Sequence, residues 1–162
     1  RKAIKEINGT DRVESVTMVD VTPDGDIIRN TERTIEVDFV CIAGGLYPLG
    51  ELAAVVGCPF EYNEALGGHV PIHNEAMETP IDGVYVAGNI TGIESAKVAR
   101  EQGKVAGLSI VKALTDNAEV AEKVDAAITN VQQTRDEATI QFHPEINEGR
   151  ATISASFEQL IK

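Results

Sequence analysis

The sequence contains no tryptophan, and aromatic residues fill only 4% of its 162 positions. Its core must therefore be aliphatic and built from small side chains. Basic residues are also few: 14 Lys and Arg stand against 26 Asp and Glu, a formal net charge of −12. Without a basic patch to offset phosphate charge, neither nucleic acid nor an anionic membrane surface is expected as a partner. No apolar run approaches the roughly 20 residues of a membrane span. The N-terminus lacks the features of a signal peptide, and a cytoplasmic protein is expected. Only two cysteines occur, Cys41 and Cys58, outside any CxxC spacing and away from histidine. Cys41 sits in an apolar run, so a reduced, buried thiol is expected there.

What is present is ordinary for a globular protein, with 43% hydrophobic and 25% charged residues. The length suits one domain or a piece of a larger one. The chain opens on RKAIKEING without Met, which reads as a helix tail running into a turn and suggests a fragment of something longer. Residues 12–21 alternate as a strand, TPDGD at 22–26 is a turn, and Ile27 and Ile28 begin a second strand. Residues 12–30 are thus expected to form a hairpin. RTIEVDFVCIAGG then runs from alternating to fully apolar at Phe39 to Ala43, the pattern of a strand buried on both faces. LGELAAVVG at 49–57 reads as a short helix stopped by Gly57.

Residues 93–114 read as a helix with small residues on one face: Ala96, Ala99, Gly103, Ala106 or Gly107, then Ile110 and Leu114. A second helix is expected over 116–133, capped by Asp116 or Asn117 and supported by a Glu119–Lys123 pair. Its apolar stripe is Ala118, Ala121, Val124 and Ile128. The tail 139–162 holds strand-like pieces, ATIQF and RATISASF. His69 and His73 flank Pro71, which argues against the helix they would need to share a metal, and both are expected at the surface.

The stretch GVYVAGNITGIESAKVAREQGKVAG, residues 83–107, carries the chemistry. A short strand breaks into a glycine-bracketed turn and enters a helix with bare first turns. Free N–H groups and the helix dipole at such a start favour an anion or an electron-rich ligand edge. Thr91 and Glu94 have capping-box spacing. Gly88 and Gly92 would let a ligand lie against the backbone. The alternative is close helix-to-sheet packing alone, and these residues by themselves leave both open.

Together with VDFVCIAGGLYP at 37–48, the segment TPIDGVYVAGN at 79–89 resembles the two C-terminal signatures of the two-dinucleotide-domain flavoproteins, the pyridine nucleotide–disulfide oxidoreductase superfamily. Thr79, Gly83, Val84, Tyr85, Ala87 and Gly88 match the pattern whose last residue binds the flavin ribityl chain. The stretch looks most like the flavin subunits of sarcosine oxidase, dye-linked proline dehydrogenase and hydrogen cyanide synthase. The resemblance implies an α/β fold: a partial FAD/NAD(P)-binding, Rossmann-like fold with a β-hairpin, then buried strands and two long helices. Residues 1–36 would end the NAD(P)-binding domain, 37–114 would be the C-terminal part of the FAD-binding domain, and 115–162 a C-terminal helix and tail.

The implied cofactor is FAD in the full-length protein, with NAD(P) as a further candidate. The implied contacts are Gly88, Asn89, Ile90, Thr91 and Gly92, then Ser95 and Ala96, with Gly44 and Gly45 at the domain crossover. The implied function is a wall against the flavin ribityl chain and pyrimidine edge, in an enzyme moving hydride between a nicotinamide or an amine or amino-acid substrate and FAD. The partner would be the remainder of the flavoprotein chain or another subunit, with homo-oligomerisation left open. The alternative is a non-catalytic module that binds a partner chain or completes another subunit's FAD site.

Three departures from the family pattern stand out. The ribityl acid is Asn89. No GxGxxG occurs, so the main phosphate grips are missing and the isolated chain is expected to be inactive. The redox cysteine pairs and a cysteine-rich iron–sulfur module are also missing. No residue reads as a general acid, base or nucleophile. HPEINE at 143–148 has the His-Pro-x-x-x-Glu spacing of glutathione-reductase-type enzymes, but those place about a hundred residues before it. With no redox cysteines to serve, His143 is not expected to be catalytic.

Overall fold

The computed structural model describes residues 1–115, 117–138 and 143–162. They divide into two units, Arg1–Gly45 and Leu46–Lys162.

The first unit is a three-stranded antiparallel sheet of β1 (Lys2–Asn8), β2 (Ser15–Asp20) and β3 (Arg33–Glu36), in that order. β1 replaces the expected helix tail. Ile4 faces Met18 and Ile7 faces Val16, with a register shift between Ile4 and Glu6. A bulge of this kind puts residues three apart on one face, which is why the segment carries helix-like spacing. The hairpin expected over 12–30 is smaller than its sequence suggests. Gly25 takes φ 94° and the Thr22–Asp26 turn closes through a lone bridge between Val21 and Ile27. The strand that follows the turn and pairs with β2 is β3, beyond the expected hairpin.

The buried strand expected at 39–43 is not formed. Pairing ends where the Val37 amide donates to the Glu14 carbonyl, and Phe39 and Ile42 are 79% and 73% exposed. Cys41 is likewise exposed, contrary to expectation. A strand buried on both faces needs neighbours on both sides, and no described strand pairs with these residues.

The second unit begins with α1 (Glu51–Val55), stopped as expected before Gly57 at φ 85°. β4 (Phe60–Asn63) and β5 (Gly68–Pro71) form a hairpin through a 3-10 turn at Glu64–Leu66. A second 3-10 turn, Asn89–Thr91, leads toward α2 (Ala96–Thr115), and α3 (Ala118–Asp136) follows. Asn117 caps α3 by accepting from the Glu119 amide at 2.9 Å, and Lys123 lies 2.7 Å from Glu119. Asp116 and most of ATIQF lie outside the described residues. Val98, Val105, Ala106 and Val131 form the α2–α3 core with Met77.

RATISASF is helical, not extended: it belongs to α4 (Ile146–Leu160). Its buried residues are Ile146, Gly149, Ile153 and Phe157, at spacings of three and four. Ala151, Ile153, Ala155 and Phe157 also alternate, so the same letters fit a strand. Contact with the 3-10 turn decides for helix: Leu66, Val70, Ile146 and Ile153 form one buried cluster. A Cβ on Gly149 would sit 2.7 Å from Asn63 Oδ1 and 3.1 Å from Leu66 Cγ, so only glycine allows this approach.

Candidate functional site

The chain reaches the candidate turn through Val86, which is buried with Ala53 and Cys58. At Gly88 the backbone takes φ 85°, a left-handed value that favours glycine. The Gly88 amide donates to Gln102 Oε1 at 2.9 Å, and its carbonyl accepts from the Thr91 hydroxyl at 2.8 Å and the Thr91 amide at 2.9 Å. Gln102 Nε2 in turn donates to Thr91 Oγ1 at 3.0 Å. Thr91 and Gln102 are 1% and 2% exposed, so this network is dry and its members satisfy one another. It fixes the turn from beneath.

Gln102 was missed by sequence reasoning. Its signal was present: it lies on the line Val98, Gln102, Val105, Ser109 along α2, all of it buried. A glutamine on the apolar line of a helix needs a partner, and here the partner is the turn.

The capping box does not form. Ser95 takes the cap instead: its hydroxyl accepts from the Val98 amide at 3.3 Å and its carbonyl from Ala99 at 3.0 Å. Glu94 faces away, accepting from Arg135 Nε at 3.0 Å and Nη2 at 2.9 Å, with Arg150 Nη1 at 2.8 Å. Charge-assisted contacts to two guanidiniums outweigh a single backbone amide. The result ties the start of α2 to α3 and α4.

The expected contact residues 88–92, 95 and 96 differ in exposure, in two layers. Asn89 and Ala96 are exposed, while Gly88, Ile90 and Ser95 are half-buried. Thr91 and Gly92 are buried beneath them. Gly92 is bare toward Leu66, where a Cβ would come within 2.9 Å of Cδ2. The missing side chain at this position makes room for Leu66. Gly44 and Gly45 end the Arg1–Gly45 unit, Gly45 at φ 124°.

Most of the small-residue line of α2 faces outward: Ala96, Gly103, Gly107, Ile110 and Leu114 are exposed and Ala99 is half-buried, whereas Ala106, the alternative to Gly107, is buried in the α2–α3 core. Helix-to-sheet packing of this line, the alternative reading of these residues, does not occur among the described residues.

His69 is exposed, edge-on to Tyr62 at 5.1 Å. His73, expected at the surface, is buried: its Nδ1–H donates to the Pro71 carbonyl at 2.7 Å. Burial, opposed by that bond and aided by nearby Arg135, holds its pKa below the ordinary value. His143 accepts from the Glu145 amide at 3.2 Å, a local turn contact leading into α4.

The family model for pyridine nucleotide-disulphide oxidoreductases matches residues 2–103. An opine oxidase subunit of Rhizobium meliloti (strain 1021) is 30% identical over 87 residues, covering 54% of this chain and 19% of that protein. The corresponding opine oxidase subunit of Agrobacterium tumefaciens (strain Ach5) is 31% identical over 78 residues, 48% of this chain and 16% of that protein. The chain thus matches under a fifth of the length of these relatives. The family match covers more than half of the chain and includes the Gly88 turn with the first turns of α2, and so the protein belongs to the pyridine nucleotide–disulphide oxidoreductase family.

Proposed function

We propose that this chain forms the ribityl and pyrimidine-edge wall of an FAD site in a flavin-dependent oxidoreductase. The observation that carries the reading is the two-layered turn. A buried Thr91–Gln102 network holds Gly88 in place, while the Asn89 side chain and the bare start of α2 stay open. A network that spends two buried side chains on positioning an exposed turn suits a surface meant to meet something. The name of the opine oxidase relatives supports an oxidising reaction on an amine or amino-acid derivative.

The residues present fit the flavin tail. Asn89 makes no side-chain hydrogen bond among the described residues and offers an amide donor and acceptor to ribitol hydroxyls. The Ala96 and Lys97 amides at the start of α2 add partial positive charge at the ring's pyrimidine edge. Ala96, Ala99 and Gly103 leave room for the ring. Bound there, the flavin would supply the hydride acceptor for a nicotinamide or an amine or amino-acid substrate. The pyrophosphate grip and the substrate site would come from the remainder of a flavoprotein chain or from a partner subunit. NAD(P) is the second nucleotide of this reading.

Asn89→Ala in the flavin-containing protein tests it. Loss of the ribitol partner should weaken FAD retention by about 0.5–1.5 kcal/mol, whereas Asn89→Asp should retain flavin. Equal flavin content in wild type and both variants would show that Asn89 is not the ribityl ligand.

A further inference from the structure

A cleft of about 290 Å³ opens between the His73–Met77 segment, the end of α3 and the start of α4. Its wall carries Arg135 and Arg150 with the neutral polar groups of Gln132, Asn147 and Ser154. The two guanidiniums share one carboxylate, Glu94, and their side chains are only 16% and 15% exposed. Together they present more N–H donors than that one carboxylate accepts, and Glu75, exposed at the mouth, is the carboxylate of the lining. Guanidinium donors held largely out of water are costly when left unpaired.

Arg135 commits Nε and Nη2 to Glu94. Arg150 Nη2 donates to Asn147 Oδ1, and its Nη1 is sealed from solvent beside Glu94 without an aligned hydrogen bond. Each guanidinium carries five N–H donors, so several on each remain uncommitted among the described residues. His73 lines the same cleft and is kept neutral by burial, so it supplies no balancing charge of either sign. Burial and the nearby Arg135 also push the Arg150 guanidinium below its ordinary value, which Glu94 opposes.

We propose that this cleft is a binding site for a small monocarboxylate, held by the Arg135–Arg150 pair. A carboxylate matches the planar fork of a guanidinium and accepts two parallel N–H donors from it. Gln132, Asn147 and Ser154 complete its polar wall. Glu75, exposed at the mouth, and Glu94, between the arginines, oppose a dianion such as phosphate more than a single carboxylate. The site uses residues outside the Gly88 turn, so its failure would leave the flavin reading standing.

Titrating the 162-residue chain with sodium benzoate and with sodium acetate, followed by amide chemical shifts, tests the site. Saturable shifts at Asn147, Arg150 and Ser154 are expected, with a dissociation constant of about 1 mM or tighter for benzoate. Arg150→Gln should weaken binding by about 30-fold or more, as loss of one member of a desolvated charge pair does. Because that change could loosen α4, Ser154→Leu is the second arm: it fills the cleft while keeping both arginines and Glu94, and it should abolish binding. Absence of saturable shifts with either carboxylate overturns the proposal, as does binding that survives Ser154→Leu. Tighter binding of inorganic phosphate at matched ionic strength overturns the carboxylate assignment.

Discussion

At residues 88–95 the chain turns around a buried glutamine, whereas at residues 37–48 it runs with Phe39, Ile42, Leu46 and Tyr47 between 64% and 79% exposed. Both stretches carry family motifs, and both pair glycine with an apolar strand-like run. The first has its partners within the described residues: Gln102 lies fourteen positions on, Arg135 forty-one. The second has none of comparable weight. An apolar run does not bury itself; it needs a surface to be buried against. The difference separates a turn whose geometry this chain enforces from a strand it only encodes.

Mutations at the two stretches should therefore differ sharply in effect. Glu94→Gln removes the carboxylate that binds two largely buried guanidiniums, and should destabilise the chain by about 3–5 kcal/mol in urea unfolding. A loss under about 1 kcal/mol would mean that water already solvates Arg135 and Arg150. Gln102→Leu is next. It keeps the bulk but strands the Gly88 amide, at about 1–3 kcal/mol. Amide exchange at Gly88 should quicken more than at Val105, and uniform exchange would disprove a local clamp.

His73 gives a smaller, pH-dependent effect. Its folded pKa is depressed, so below the ordinary value of 6.5 the unfolded chain takes up a proton that the folded chain refuses. Stability should fall as pH drops from 6.5 toward the folded value. Thermal melts of His73→Gln across that window should be flatter than those of wild type, and parallel curves would contradict a neutral buried ring. The smallest effect is expected at Phe39. Phe39→Ser should leave the stability of the chain within about 0.5 kcal/mol, while a large loss would reveal contacts for this side chain in solution.

Local structure was largely legible. Gly57 stops α1 because its left-handed backbone is cheap only for glycine, and Asn117 caps α3 because its side chain reaches the second amide ahead. The C-terminal end of α2 followed from its length and periodicity, while its start lies three residues beyond the expected one. Where one sequence served two periods, reading failed: β1 hid its strand behind a bulge, and α4 alternated like a strand while packing as a helix. The candidate turn is legible in its glycines, yet the residues holding it are not. Spacing alone pairs Glu94 with a backbone amide three residues away, and offers Gln102 no partner.

The sequence by itself determined α1, α2 and α3 in their order, the stop of α1, the cap of α3, the glycine turn at position 88 and the membership of a dinucleotide-handling family. These depend on backbone sterics and on neighbours a few residues apart. Only the tertiary structure decided which face of α2 is buried, that Gln102 clamps Gly88, that Gly92 packs on Leu66, and that Glu94 joins two arginines from separate helices. A buried polar side chain takes whichever partner the fold brings within about 3 Å, and that partner can be any distance away along the chain.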